Sequence, residues 1–80
     1  MLVNVQLFAS LRELVGDETT IEVAEPVTVG RLLATFIALH PSLRGAEKSL
    51  NVAVEQSYAF PDQVIEPGQE VAIFPPVSGG

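Results

Sequence analysis

The sequence closes on Gly79-Gly80, which places a carboxylate at the tip of a segment with no side chain to shield it. Glycine accepts nearly any backbone angle, so such an end can thread a narrow channel. Pro75 and Pro76 just upstream hold the chain extended and cannot continue a central strand, which directs the segment away from the fold. Fully extended, Pro75 to Gly80 reaches roughly 20 Å at about 3.3 Å per residue. That is long enough to present a carboxylate inside another protein's active site. A frayed terminus is the other reading these residues leave open.

Little else in the chain offers chemistry. There is no cysteine, which excludes disulfides, thiolate metal sites, a persulfide and a cysteine nucleophile together. The single histidine, His40, stands at a helix end beside Pro41, where the helix dipole favours positive charge and a structural role. It has no second histidine or cysteine as metal-site company. No carboxylate pair has the buried setting that acid–base work requires, and Pro67-Gly68 is too short for a phosphate loop and lacks a lysine. Catalysis by this chain alone is not expected.

The chain is 80 residues long with 48% hydrophobic residues, enough for one compact core. Ten acidic residues against four basic ones give a formal charge of −6. Arg12, Arg31, Arg44 and Lys48 are too scattered to form a phosphate-binding stripe, so no nucleic-acid partner is expected. The charge either steers the domain toward a basic partner or simply supports solubility. With no cysteine, no leader-like start and no run near the ~20 apolar residues of a membrane span, a soluble, cytoplasmic protein without membrane contact is expected.

The elements that must position the tail follow from periodicity. Val3, Val5 and Leu7 alternate with Asn4, Gln6 and Phe8, a half-buried strand. Ser10-Leu11-Arg12-Glu13 has the form of a capping box, opening a short helix that buries Leu11, Leu14 and Val15 and ends at Gly16. A second strand over 19–24 buries Ile21 and Val23. Thr28 caps the main helix, with Val27 and Leu32 as a hydrophobic staple, and Val29, Leu32, Leu33, Phe36 and Ile37 line its inner stripe up to Pro41. A loop over 42–49 leads to a strand at 50–55, a short strand over 58–60, a turn at Pro67-Gly68 and a closing strand at 70–74. This order implies an α+β fold: a mixed sheet on one main helix, first and last strands parallel at its centre, the β-grasp or ubiquitin-like arrangement. Residues 1–74 are expected to form that domain and 75–80 a flexible diglycine tail.

One anomaly breaks the apolar pattern. Phe8 shares the outer strand face with Asn4 and Gln6, and Phe74 shares it with Ala72. If the first and last strands are neighbours, the two rings meet on the face turned away from the helix, and Tyr58 can join them. Two or three exposed aromatics at the base of the tail would form a docking patch. Cover by loops, or a register slip of one residue, would remove it.

In these residues the chain resembles the MoaD family, the small subunits of molybdopterin synthase within the MoaD/ThiS sulfur carriers. The likeness lies in Phe74-Pro75-Pro76-Val77-Ser78-Gly79-Gly80, preceded by Pro67-Gly68-Gln69-Glu70-Val71-Ala72, and in Leu7-Phe8-Ala9, Leu11-Arg12-Glu13-Leu14 and Gly16. The helix opening at Thr28-Val29 and the strand Val52-Ala53-Val54 fit in pattern. Glu55 departs from it, standing where asparagine is expected.

The resemblance implies a sulfur carrier that is not an enzyme by itself, the sulfur-donor subunit of a heterotetrameric two-subunit sulfurtransferase. An adenylyltransferase similar to the ubiquitin-activating enzymes would use ATP to adenylate Gly80, sulfur would replace the adenylate, and the resulting C-terminal thiocarboxylate would be the active form. No cofactor would be bound. The tail would then enter the large subunit and pass sulfur to cyclic pyranopterin monophosphate for the molybdenum cofactor. By the same resemblance Gly80 bears the chemistry, Gly79 gives access, Pro75, Pro76, Val77 and Ser78 form the inserted tail, and Phe8, Tyr58 and Phe74 contact the large subunit. A sulfur carrier for thiamine thiazole or tRNA thiolation, a ubiquitin-like protein modifier, and an interaction domain with an inert tail are the alternatives.

Overall fold

In a computed structural model that describes residues 1–75, the chain builds a five-stranded sheet in the order β2-β1-β5-β3-β4 over one long helix. The elements are β1 (Leu2–Leu7), α1 (Ser10–Val15), β2 (Glu18–Glu22), α2 (Val29–Leu39), a 3₁₀ turn (Pro41–Leu43), β3 (Asn51–Val54), β4 (Ser57–Tyr58) and β5 (Val71–Phe74). β1 runs antiparallel to β2 and parallel to β5, and β5 pairs antiparallel with β3. The first and last strands are thus central neighbours, and the fold is the expected β-grasp.

Period-two alternation explains the sheet. Val3, Val5 and Leu7 of β1 are buried while Leu2, Asn4 and Gln6 are exposed, and Val71 and Ile73 repeat the pattern in β5. The inner face packs on Val29, Leu32, Phe36 and Ile37, which recur at helical spacing along α2. Val5, Leu32, Phe36, Val71 and Ile73 are wholly buried, so the core centres on residues of α2, β1 and β5. Fully burying one such side chain is worth about 1.5–3 kcal/mol.

The start of α2 is held from two sides. Thr28 Oγ1 accepts a hydrogen bond from the Arg31 N–H (3.1 Å), the expected cap. The N–H groups of Val29 and Gly30 donate to the carbonyls of Gln63 and Pro61, both at 2.9 Å, so the 61–65 segment satisfies the donors that a helix start leaves free. Gly30 lets the two segments approach closely here, since a Cβ would stand 3.2 Å from the Pro61 carbonyl oxygen and the neighbour would have to shift by a few tenths of an ångström.

Three expectations fail locally. The capping box does not form: Ala9, at φ 54°, occupies the cap position of α1 and no side chain caps it. The left-handed turn at Ala9 starts the helix one residue early and places Ser10 inside it. Leu14 is exposed, since a six-residue helix shows the core little more than Leu11, with Val15 half-buried. Finally, the chain beyond Pro41 enters a 3₁₀ turn before the loop, because proline suits the first helical position.

Candidate functional site

The outer face of the sheet carries the residues the alternation singled out. Leu7 pairs with Ile73, so Phe8 and Phe74 stand together at the end of the β1–β5 ladder where the chain leaves β5. β4 adds Tyr58, whose ring lies 5.6 Å from that of Phe74 at an interplanar angle of 55°. Such a tilted pair sits in the preferred range for aromatic contacts. Tyr58 is 69% exposed and Phe8 45%, so no described loop covers either. The exposed aromatic cluster therefore exists among the described residues, in the expected register.

A tight hairpin aims Tyr58. β3 and β4 are joined by Glu55-Gln56 alone, since Val54 pairs with Ser57. Both turn residues have positive φ, 53° and 66°, as a two-residue type I′ connection demands. The Glu55 N–H donates to the Glu70 carbonyl at 2.8 Å, tying the turn to the entry of β5.

Between the aromatics the sheet sinks. Ala53 and Ala72 face each other across β3 and β5, and their small side chains floor a depression of about 440 Å³. Phe8, Phe74 and Tyr58 line it together with Gln6, Gln56 and Glu70. Sequence reasoning missed Ala53, Gln56 and Glu70. The pairing of Ala53 with Tyr58 was the signal that could have found them, and it depends on the hairpin register.

Of the expected site residues, Phe8, Tyr58, Phe74 and the half-buried Pro75 are described. Pro76, Val77, Ser78, Gly79 and Gly80 lie outside the described residues, and with them the expected tail. His40 packs against Phe36 with ring centroids 5.0 Å apart and planes tilted by 55°, a contact away from the aromatic face. Among the described residues, no polar or charged side chain is buried, no three His, Asp or Glu residues gather to hold a metal ion, and no helix is long and apolar enough to cross a membrane. What this face presents is an exposed aromatic surface over an alanine floor.

Comparison with known proteins agrees with that geometry. Residues 5–80 match the ThiS family. The molybdopterin synthase sulfur carrier subunit of Chlamydomonas reinhardtii is 40% identical over 83 residues, covering all of both chains. Its counterpart in Escherichia coli is 37% identical over 81 residues, covering 99% of this chain and all of the other. Among solved structures, the crystal structure of SAMP1 from Haloferax volcanii superposes with a TM-score of 0.81 at 30% identity, covering all of both chains.

Proposed function

The chain belongs to the ThiS family, and from that membership we propose that it is the sulfur-carrier small subunit of a molybdopterin synthase. The observation that carries this reading is the gathering of Phe8, Phe74 and Tyr58 at the end of β5, where the chain continues toward Gly79-Gly80. Full-length similarity to two sulfur carrier subunits supports it. In this reading residues 1–74 are the docking domain and 75–80 the delivery segment.

The Gly80 carboxylate is inert toward nucleophiles until one oxygen becomes a leaving group. An activating partner supplies that by forming the acyl adenylate from ATP with release of pyrophosphate. A sulfide equivalent then attacks the carbonyl carbon and expels AMP, leaving a thiocarboxylate. The chain has no cysteine on which to hold a persulfide, so in this reading the sulfur is carried at the Gly80 carbonyl. The carrier next docks on the large subunit through the aromatic face, and its tail reaches the pterin, where each carrier gives up one sulfur. A dithiolene needs two, so spent and loaded carriers exchange between half-reactions. ATP is consumed by the activating partner and no cofactor resides on the carrier.

Deleting Gly80 tests this reading. The shortened chain is expected to keep its thermal midpoint and to accept no sulfur from activating enzyme, ATP and a sulfur donor. A truncated chain that is still loaded would contradict it. Protein modification is the second reading, favoured by the likeness to SAMP1, a small archaeal modifier protein. A ladder of heavier conjugates that disappears with Gly80 would select it.

A further inference from the structure

The outer face combines two features whose coincidence specifies the partner. The first is shape. A lateral row crosses all five strands, from Glu18 through Gln6, Ala72 and Ala53 to Tyr58. Its middle is the alanine floor, so the face is a socket with aromatic walls and not only a set of protruding rings. A socket of about 440 Å³ has room for a large side chain from another molecule.

The second feature is charge. No strand contains lysine, arginine or histidine. The four basic side chains lie on α1 (Arg12), on α2 (Arg31) and between Pro41 and Leu50 (Arg44, Lys48). Arg12 is engaged with Asp17 at 3.5 Å. The outer face carries Glu18 and Glu22 on β2 and Glu70 on the rim of the socket, with Glu55 in the adjoining turn. Glu70 Oε1 receives only a 3.4 Å contact from the Gln56 amide, and Glu55 Oε2 lies 3.4 Å from the Glu70 N–H. Neither has a cationic partner among the described residues.

We infer that the protein docking here inserts one apolar side chain between Ala53, Ala72 and the aromatic walls, and sets arginine or lysine side chains around it against Glu70 and Glu18. An apolar anchor in a desolvated pocket gives affinity, and rim charges of opposite sign speed encounter. The same carboxylates repel a polyanion, which leaves a basic protein surface as the occupant. This inference rests on the proposed function only for the identity of that protein.

The test measures association of the full chain with the large subunit of molybdopterin synthase from the same source, at low salt and at about 0.5 M salt, where screening is nearly complete. Glu70→Gln and Glu18→Gln are each expected to slow association about two- to five-fold at low salt and to match the native chain at high salt. Glu47→Gln removes the same charge at a residue that does not line the socket and is expected to leave the rate unchanged. Ala72→Leu fills the socket from an outward, half-exposed position; it is expected to keep the thermal midpoint and to weaken binding at least about ten-fold. The inference falls if Glu70→Gln behaves like Glu47→Gln, or if Ala72→Leu binds as tightly as the native chain. Failure of the native chain to bind at all would overturn the proposed function as well.

Discussion

The double replacement Glu55→Asn/Gln56→Gly is expected to stabilise the domain, and its size follows from the turn. Both residues hold φ values, 53° and 66°, that cost an ordinary L-residue about 1–2 kcal/mol, while asparagine and glycine visit this region readily. At Gln56, relief of that strain is partly offset by about 0.5–1 kcal/mol of extra entropy in the unfolded chain. The exposed 3.4 Å contact with Glu70 is also lost, worth a few tenths at most. Asparagine at position 55 gains without the entropy cost, gives up only the exposed 3.4 Å contact of the Glu55 carboxylate with the Glu70 N–H, and keeps the backbone hydrogen bond from its own N–H to the Glu70 carbonyl. The balance is about 1 kcal/mol, or roughly 4–8 °C in thermal midpoint for a domain of this size. Calorimetry or circular dichroism at a fixed scan rate reads it directly. A midpoint unchanged or lowered would show that 55–56 does not form a type I′ turn, and the placement of Tyr58 would fall with it.

Further tests reach the helix starts and the docking face. Thr28→Ala removes the side-chain acceptor for the Arg31 N–H and should cost about 1 kcal/mol in denaturant titration. Ser10→Ala, at a residue that caps nothing, should stay within about 0.5 kcal/mol; equal losses in the two would restore the capping box. Tyr58→Ala is expected to shift the thermal midpoint by only a few degrees while weakening binding to the large subunit about ten-fold or more, because the ring is largely exposed yet anchors the aromatic wall. Binding at native strength would remove this face from the interface.

The parts of the fold legible in the sequence are those fixed by residues near in sequence or by strict alternation. Val3, Val5 and Leu7 face inward because a strand has no other way to bury them together, and Phe8 is driven outward by the same period. Thr28 could be read as a cap because its acceptor and the Arg31 N–H are three residues apart. Ser10 offered the same local signal, but Ala9 adopts a backbone conformation that alanine rarely takes, and no local propensity announces it. The two-residue, positive-φ form of the turn at Glu55-Gln56 was hidden for a like reason, since neither residue is the asparagine or glycine that marks such turns.

What remained out of reach depends on distant segments meeting. The 61–65 stretch lacks a pattern of its own, yet Thr28 and Val64 form a bridge and Ile65 donates to the Val27 carbonyl at 2.8 Å. The socket floor likewise needs β3 and β5 in register before Ala53 and Ala72 meet. Alanines in two separate strands look like filler until the sheet is assembled. The aromatic face was foreseeable because its members break the alternation, and its depth was not.

Intact-mass spectrometry of the chain recovered from cells that make molybdenum cofactor tests the central claim most directly. A fraction heavier by one oxygen-to-sulfur exchange, localised to Gly80 by fragmentation, is the expected result. A carboxylate still unmodified after incubation with activating enzyme, ATP and a sulfur donor would contradict the sulfur-carrier account.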